Sequence, residues 1–187
     1  MELCDLDLKT YIECYGVEGK RLNEQEASRV IRHVLNGLRH LQDKCKVMHR
    51  DIKLENILVN CRPGGEVEFK IADLGQAKVN ISRNLLKHTI CGTPLYMAPE
   101  VYFQQPYNST ADVWSLGAML FQMVTGNLPF YSCTHEELSS KLKEGFYHIP
   151  AGIQISAECR SFIKHCLQKN WTRRWSLDKL AQHPFVF

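Results

Sequence analysis

Apolar residues along this chain keep a helical period first, then a shorter one, then a helical one again. Between Asn23 and Gln42, Ala27, Val30, Ile31, Val34, Leu38 and Leu41 recur at helical spacing, which places them on one face of a helix. Asn23 and Glu26 make a capping box at its start, so a long amphipathic helix is predicted there. The pattern then shortens. Lys46-Val47-Met48, Ile57-Leu58-Val59 and Val67-Glu68-Phe69-Lys70-Ile71 read as brief strands, with Pro63-Gly64-Gly65 supplying turn chemistry between the last two. From Ala111 to Thr125 the chain is apolar on several sides and stops at Gly126, which predicts a buried helix ended by a left-handed residue. Further helices are predicted at Thr134 to Lys143 behind a Thr134/Glu137 capping box, at Ala157 to Gln168 behind Ser156, and at Leu177 to Gln182 ahead of Pro184. Together the elements predict a mainly α lobe with a small β element near its middle, in a single domain without internal repeats.

Composition narrows the classes without choosing among them. The 187 residues are 44% hydrophobic and 23% charged, ordinary for a globular domain with a core of useful size. The formal charge of +3 is spread over interspersed Lys, Arg, Asp and Glu, so no basic stripe for a nucleic-acid backbone stands out and no nucleic-acid partner is expected. Eight cysteines are scattered without a Cys-x-x-Cys pair and are read as reduced thiols. Neither they nor the eight histidines show zinc-finger or His-Glu-x-x-His spacing. With no charged-then-apolar leader and no apolar run of about 18 residues, no membrane span is expected, and the cytoplasm is the expected location, with the nucleus as the alternative.

Candidate chemistry concentrates in two short loops. His49-Arg50-Asp51-Ile52-Lys53-Leu54-Glu55-Asn56 lies between a strand-like segment and Ile57-Leu58-Val59. Phosphoryl transfer needs a carboxylate to orient the attacking hydroxyl, a cation near the transferred group and oxygen ligands for magnesium, and Asp51, Lys53 and Asn56 can supply these in turn. In Ile71-Ala72-Asp73-Leu74-Gly75, Gly75 permits a sharp turn and Asp73 can bridge a hard cation to phosphate oxygens.

With these loops in view the sequence resembles the carboxy-terminal lobe of eukaryotic-type serine/threonine protein kinases. The resemblance runs from the catalytic loop at 49–56 and the Asp73-Leu74-Gly75 triplet through Ala98-Pro99-Glu100, which would close an activation segment at 73–100. It continues through Asp112-Val113-Trp114-Ser115-Leu116-Gly117 and Pro129-Phe130 to Arg174 and His183-Pro184-Phe185. It implies that Asp51 is the base, that Lys53 lies near the γ-phosphate, that Asn56 and Asp73 hold magnesium, and that ATP is the cofactor. It further implies that Glu55 borders the nucleotide, that His49 and Leu74 stack behind the site, that Asp112 holds the catalytic-loop backbone, and that Glu100 pairs with Arg174. Met1 to Leu8 resembles the hinge between kinase lobes: Met1 would be the gatekeeper, backbone groups of Glu2 and Cys4 would meet adenine, Asp7 would reach ribose, and Leu58 would form the apolar floor; a plain helix start at Asp5 or Asp7 is the competing reading.

Lys53 and the Gly92-to-Glu100 stretch resemble serine/threonine rather than tyrosine kinases, which implies protein substrates with Ser or Thr acceptors. Thr93 would hydrogen-bond near Asp51 and Lys53, and Tyr96 would wall the substrate site. Thr89 is the expected activating phosphosite, with Ser82 the runner-up, acted on by an upstream kinase and facing Arg50 and Lys78. The loop from Cys61 to Phe69 and the Lys70-to-Asp73 run are weakly similar to autophagy-initiating kinases.

Three departures qualify the resemblance. Leu74 stands where the family usually has Phe, and Leu54 and Trp171 stand at frequent prolines. The 187 residues also contain no glycine-rich phosphate loop, strand lysine or partner glutamate ahead of the hinge-like segment. Two main readings follow: a catalytic lobe transferring the γ-phosphate of ATP to Ser or Thr, or a truncated, catalytically inactive lobe that binds proteins. A third, a nucleotide-independent structural protein, leaves the hinge-like segment unexplained. On any of them this chain by itself is expected to show little or no phosphotransfer.

Overall fold

A computed structural model describes residues 3–62, 64–79 and 94–187. Helices dominate. Strand β1 (Leu6–Asp7) runs into α1 (Leu8–Tyr15), and α2 (Glu24–His40) follows. Asp7 caps α1 by accepting from the Thr10 N–H at 2.9 Å, and Asn23 caps α2 by accepting from the Glu26 N–H at 2.9 Å. The short strands β2 (Val47–Met48), β3 (Ile57–Cys61), β4 (Val67–Ile71) and β5 (Lys78–Val79) come next. Then follow α3 (Pro99–Tyr102), α4 (Thr110–Thr125), α5 (His135–Glu144), α6 (Ala157–Cys166) and α7 (Leu177–Leu180).

The strands form two small antiparallel sheets. One has the order β1-β3-β4, with Leu6 opposite Val59 and Ile57 opposite Ile71, and the other pairs β2 with β5. The β3–β4 hairpin matches the alternating stretches in the sequence. The pairing of β1 with β3 joins residues about fifty apart and has no local signature.

Buried apolar side chains bind these parts into one core. Helix α4 is buried along nearly its whole length, and it packs Trp114 flat against Phe130 at 5.2 Å. Such an all-round apolar helix needs neighbours on every side, and α2 and α6 supply two of them. The α4–α6 approach depends on Gly117, where a Cβ would stand 2.4 Å from the Cys166 Cβ. Gly126 ends α4 at φ 76°, a conformation that costs glycine nothing.

Three imidazoles give the fold a defined response to acid. Burial holds His33, His165 and His183 below the ordinary histidine value of 6.5. The geometry agrees with the neutral form: the Phe69 N–H donates to His33 Nδ1 at 3.1 Å, and the Phe185 N–H donates to His183 Nδ1 at 3.1 Å. Because the folded pKa values are depressed, the unfolded chain binds more protons as pH falls. Their contribution to stability is complete above the unfolded value and is lost as pH drops through the folded ones. Melting curves from about pH 7.5 to about pH 5.5 are therefore expected to show Tm falling once pH passes below the ordinary histidine value. A flat Tm over that interval would overturn this expectation.

Candidate functional site

The two loops singled out from the sequence meet at the end of the β3–β4 ladder opposite its hairpin turn. Asn56 immediately precedes β3 and Ala72 immediately follows β4, and the Ala72 N–H donates to the Asn56 carbonyl at 2.9 Å. Asp73 is therefore delivered beside Asn56 by strand register, not by any local sequence signal. It takes a left-handed conformation, φ 59° and ψ 72°, and its Oδ1 accepts from the Gly75 N–H at 3.1 Å.

Asp51 is nearly buried and its Oδ2 is held from two sides, by Lys53 Nζ at 2.8 Å and by Asn56 Nδ2 at 2.8 Å. Asn56 Nδ2 also donates to the Asp51 carbonyl at 2.7 Å. Three of the sequence-predicted site residues thus form one cluster. A carboxylate fixed in this way can orient a hydroxyl without rearranging first.

The cluster stands on a buried support. Asp112, from the first turn of α4, accepts from the His49 N–H at 2.9 Å and the Arg50 N–H at 2.8 Å. Burial pushes the Asp112 carboxyl upward in pKa, against the pull of those two N–H groups. Arg50 itself has φ 72°, a left-handed conformation unfavourable for a side chain with a Cβ, and the Asp112 clamp holds it there. His49 is fully buried: its Nε2 lies 2.9 Å from the Ala72 carbonyl and its Nδ1 accepts from the Asp51 N–H at 3.3 Å. Those bonds together require the tautomer with the proton on Nε2. Ala72, which sequence reasoning passed over, therefore links both loops through its backbone.

The remaining predicted residues are placed as follows. Asp7 is engaged as the α1 cap, where Thr10 Oγ1 also donates to its Oδ2 at 3.1 Å. Glu55 is exposed and pairs with Lys9 at 3.6 Å. Cys4 and Leu58 are half-buried. Glu100 and Arg174 form the expected buried pair, with Nη1 to Oε1 at 2.6 Å. The buried Tyr96 donates its hydroxyl to Gln122 Oε1. Leu74 is 53% exposed, so its expected stacking behind the site has no counterpart in its burial. Met1, Glu2, Ser82, Thr89, Thr93 and the Lys78 side chain lie outside the described residues.

A profile described as a protein kinase domain matches residues 1–186. The chain belongs to the protein kinase family. Among similar proteins are a probable myosin light chain kinase of Dictyostelium discoideum, 31% identical over 91% of this chain and 53% of its own length, and the serine/threonine-protein kinase ATG1c of Arabidopsis thaliana, 34% identical over 96% and 24%. The serine/threonine-protein kinase fused of Drosophila melanogaster is 34% identical over 99% of this chain and 22% of its own. The chain spans about half the length of these relatives or less.

The fold is that of the helical kinase lobe, and it corrects one expectation. A lobe that transfers the γ-phosphate of ATP needs its site covered, and among the described residues this site is an open shelf. Asp73 and Leu74 are exposed, and the described strands form only the two small sheets at the lobe's own edge. The apolar surface continues past Leu74 into a groove of about 300 Å³ lined by Phe69, Ile71 and Leu41. In the relatives named as kinases the matching stretch is only part of a larger chain. The described residues do not by themselves assemble the phosphotransfer site, which favours the reading of an inactive protein-binding lobe.

Proposed function

We propose that this chain is a kinase-like lobe that binds other proteins and does not itself move phosphate. The observation that carries the proposal is the combination of an ordered Asp51-Lys53-Asn56 cluster with an uncovered shelf around Leu58 and Leu74. The cluster itself is largely buried, but beside it Asp73 and Leu74 stand in water, where charge stabilisation of a phosphate is weakened and an in-line geometry is not held. An apolar shelf exposed on a soluble lobe is a surface for another protein to cover.

Magnesium and ATP fit the donor set only in part. Asn56, with its NH2 group turned to Asp51, and Asp73, with Oδ1 engaged by Gly75, offer the oxygen ligands a magnesium ion takes alongside substrate phosphates. When bound, the ion would neutralise phosphate charge. Adenine would lie on Leu58 against backbone groups of Glu2 and Cys4, with one face in water, while Asp7 would reach the ribose and Glu55 would border the nucleotide. Nucleotide binding is therefore weak.

The proposed partners are proteins bearing Ser or Thr, engaged near Asp51, Lys53 and Thr93 without turnover. An upstream kinase is proposed to act on Thr89. Arg50 supports that site: its Nη1 is buried with no hydrogen-bond partner among the described residues, and a phosphate would supply one. No described helix is long and apolar enough to cross a membrane, and the cytoplasm or nucleus is the proposed location.

Incubated with magnesium ATP and Ser- or Thr-containing peptides, the purified chain is expected to transfer no more label than its Asp51→Asn variant. Calorimetric titration with magnesium ATP is expected to show no saturation in the micromolar range. Micromolar affinity with steady turnover would overturn the proposal. Its binding half is tested by hydrogen exchange with proteins selected on the intact chain, and failure of every binder to protect a defined face would sink it.

A further inference from the structure

Sharing no residue with the candidate site, the segment between α5 and α6 leaves a groove of about 300 Å³ against α6. Its floor is apolar, made by Ile149, Ile155 and Ile163, with Tyr147 at one side. Burial pushes the Tyr147 hydroxyl up to about 12, so the phenol stays neutral and adds no charge to the groove. Phe146, which precedes it, is 76% exposed and extends the apolar surface outward.

The rim carries one sign of charge. Arg160 and Lys164 lie one turn apart on α6, so their side chains share a face, and His148 borders the same groove. Among the described residues no Asp or Glu lines it. Glu158, the acid nearest in sequence on α6, lines a different groove with Arg29 and Arg32. Neither Arg160 nor Lys164 makes a side-chain hydrogen bond or ion pair with a described residue. Two like charges a turn apart are mildly unfavourable for a helix, and no described acid forms an ion pair with either of them. An anionic group in the groove would.

We propose that this groove docks a short acidic segment of a partner protein, with an aliphatic or aromatic side chain on the isoleucine floor and neighbouring carboxylates on Arg160 and Lys164. The inference rests on the reading of the chain as a protein-binding lobe and gives that reading a partner chemistry. Charge complementarity selects the occupant. An apolar floor bordered by two cations suits a side chain flanked by carboxylates, whereas a nucleic-acid backbone calls for a longer track of cations. The guanidinium of Arg160 can take a carboxylate through two parallel N–H bonds, which adds direction to the charge attraction.

The test is a selection of random peptides displayed on phage against the intact chain, repeated against the Arg160→Glu, Lys164→Glu variant. Both substitutions are at exposed positions, and an unchanged melting curve establishes that the variant folds. Enrichment of peptides combining Asp or Glu with an apolar residue is expected. Their affinity should fall by at least about tenfold on the double variant, because like charges then face each other. It should also weaken from about 0.1 M to about 1 M salt. An Ile155→Asp variant, which leaves both cations in place, is expected to lose the same peptides. Enriched peptides without acidic residues, or binding indifferent to both variants, would overturn the groove while leaving the protein-binding reading intact. No enrichment at all, while protein binders still protect the Leu58 and Leu74 shelf from hydrogen exchange, would do the same. A single-stranded oligonucleotide binding through Arg160 and Lys164 more tightly than any peptide would also overturn the peptide assignment.

Discussion

Glu100→Ala is expected to cost about 3–5 kcal/mol of folding stability, because it strands a fully buried guanidinium. Every N–H of Arg174 is committed in this lobe. Nη1 donates to Glu100 Oε1 at 2.6 Å and to the Thr110 carbonyl at 2.8 Å, while Nη2 donates to Glu100 Oε2 at 3.1 Å and to the Gln168 carbonyl at 3.0 Å. Nε also reaches the Gln168 carbonyl, at 3.2 Å, and the guanidinium stacks 5.2 Å from the Trp114 ring centroid. The pair ties α3, the start of α4 and the segment before α7 into one piece. Without Glu100 the positive charge has neither water nor a counter-ion. Denaturant unfolding of the single variants Glu100→Ala and Arg174→Met and of their combination measures this. The double variant is expected to be more stable than Glu100→Ala alone, since it removes the stranded charge. A Glu100→Ala loss under about 1 kcal/mol would mean that the site is wetter than its burial indicates.

Asp112→Ala is expected to cost about 2–6 kcal/mol, the penalty for leaving two buried backbone N–H groups without acceptors. The same substitution should release the strained backbone at Arg50, which no other described hydrogen bond of that N–H holds at φ 72°. The effect therefore reaches the candidate site: amide exchange at His49 and Arg50 should accelerate more than exchange in the middle of α4. Asp112→Asn keeps one acceptor oxygen and is expected to fall between the variant and the parent. If Asp112→Ala melts with the parent chain, Asp112 is not what holds this loop.

Helix positions were legible because they depend on local rules. The caps at Asn23, Thr134 and Ser156 and the stop at Gly126 are set within a turn of chain, and each is found where the pattern places it. The start of α6 was legible, whereas its end was not: the helix stops at Cys166, two residues before the predicted Gln168. The start of α1 was legible too: a helix beginning at Asp7 is the competing reading of the hinge-like segment, and Asp7 with Thr10 forms an ordinary capping pair there.

The sequence by itself determined the chemistry available to this protein, because the residue types of Asp51, Lys53, Asn56, Asp73, Asp112, Glu100 and Arg174 and their order along the chain are enough to mark the family. Tertiary structure decided which of them meet. The β3–β4 register delivers Asp73 to Asn56, and a single carboxylate on α4 sets the backbone two residues ahead of Asp51. It also decided what the chemistry can do. Whether an Asp-Lys-Asn cluster is a working site depends on how much water reaches it, and that is set by what packs above Leu58 and Leu74, a matter of long-range contacts that no local pattern encodes.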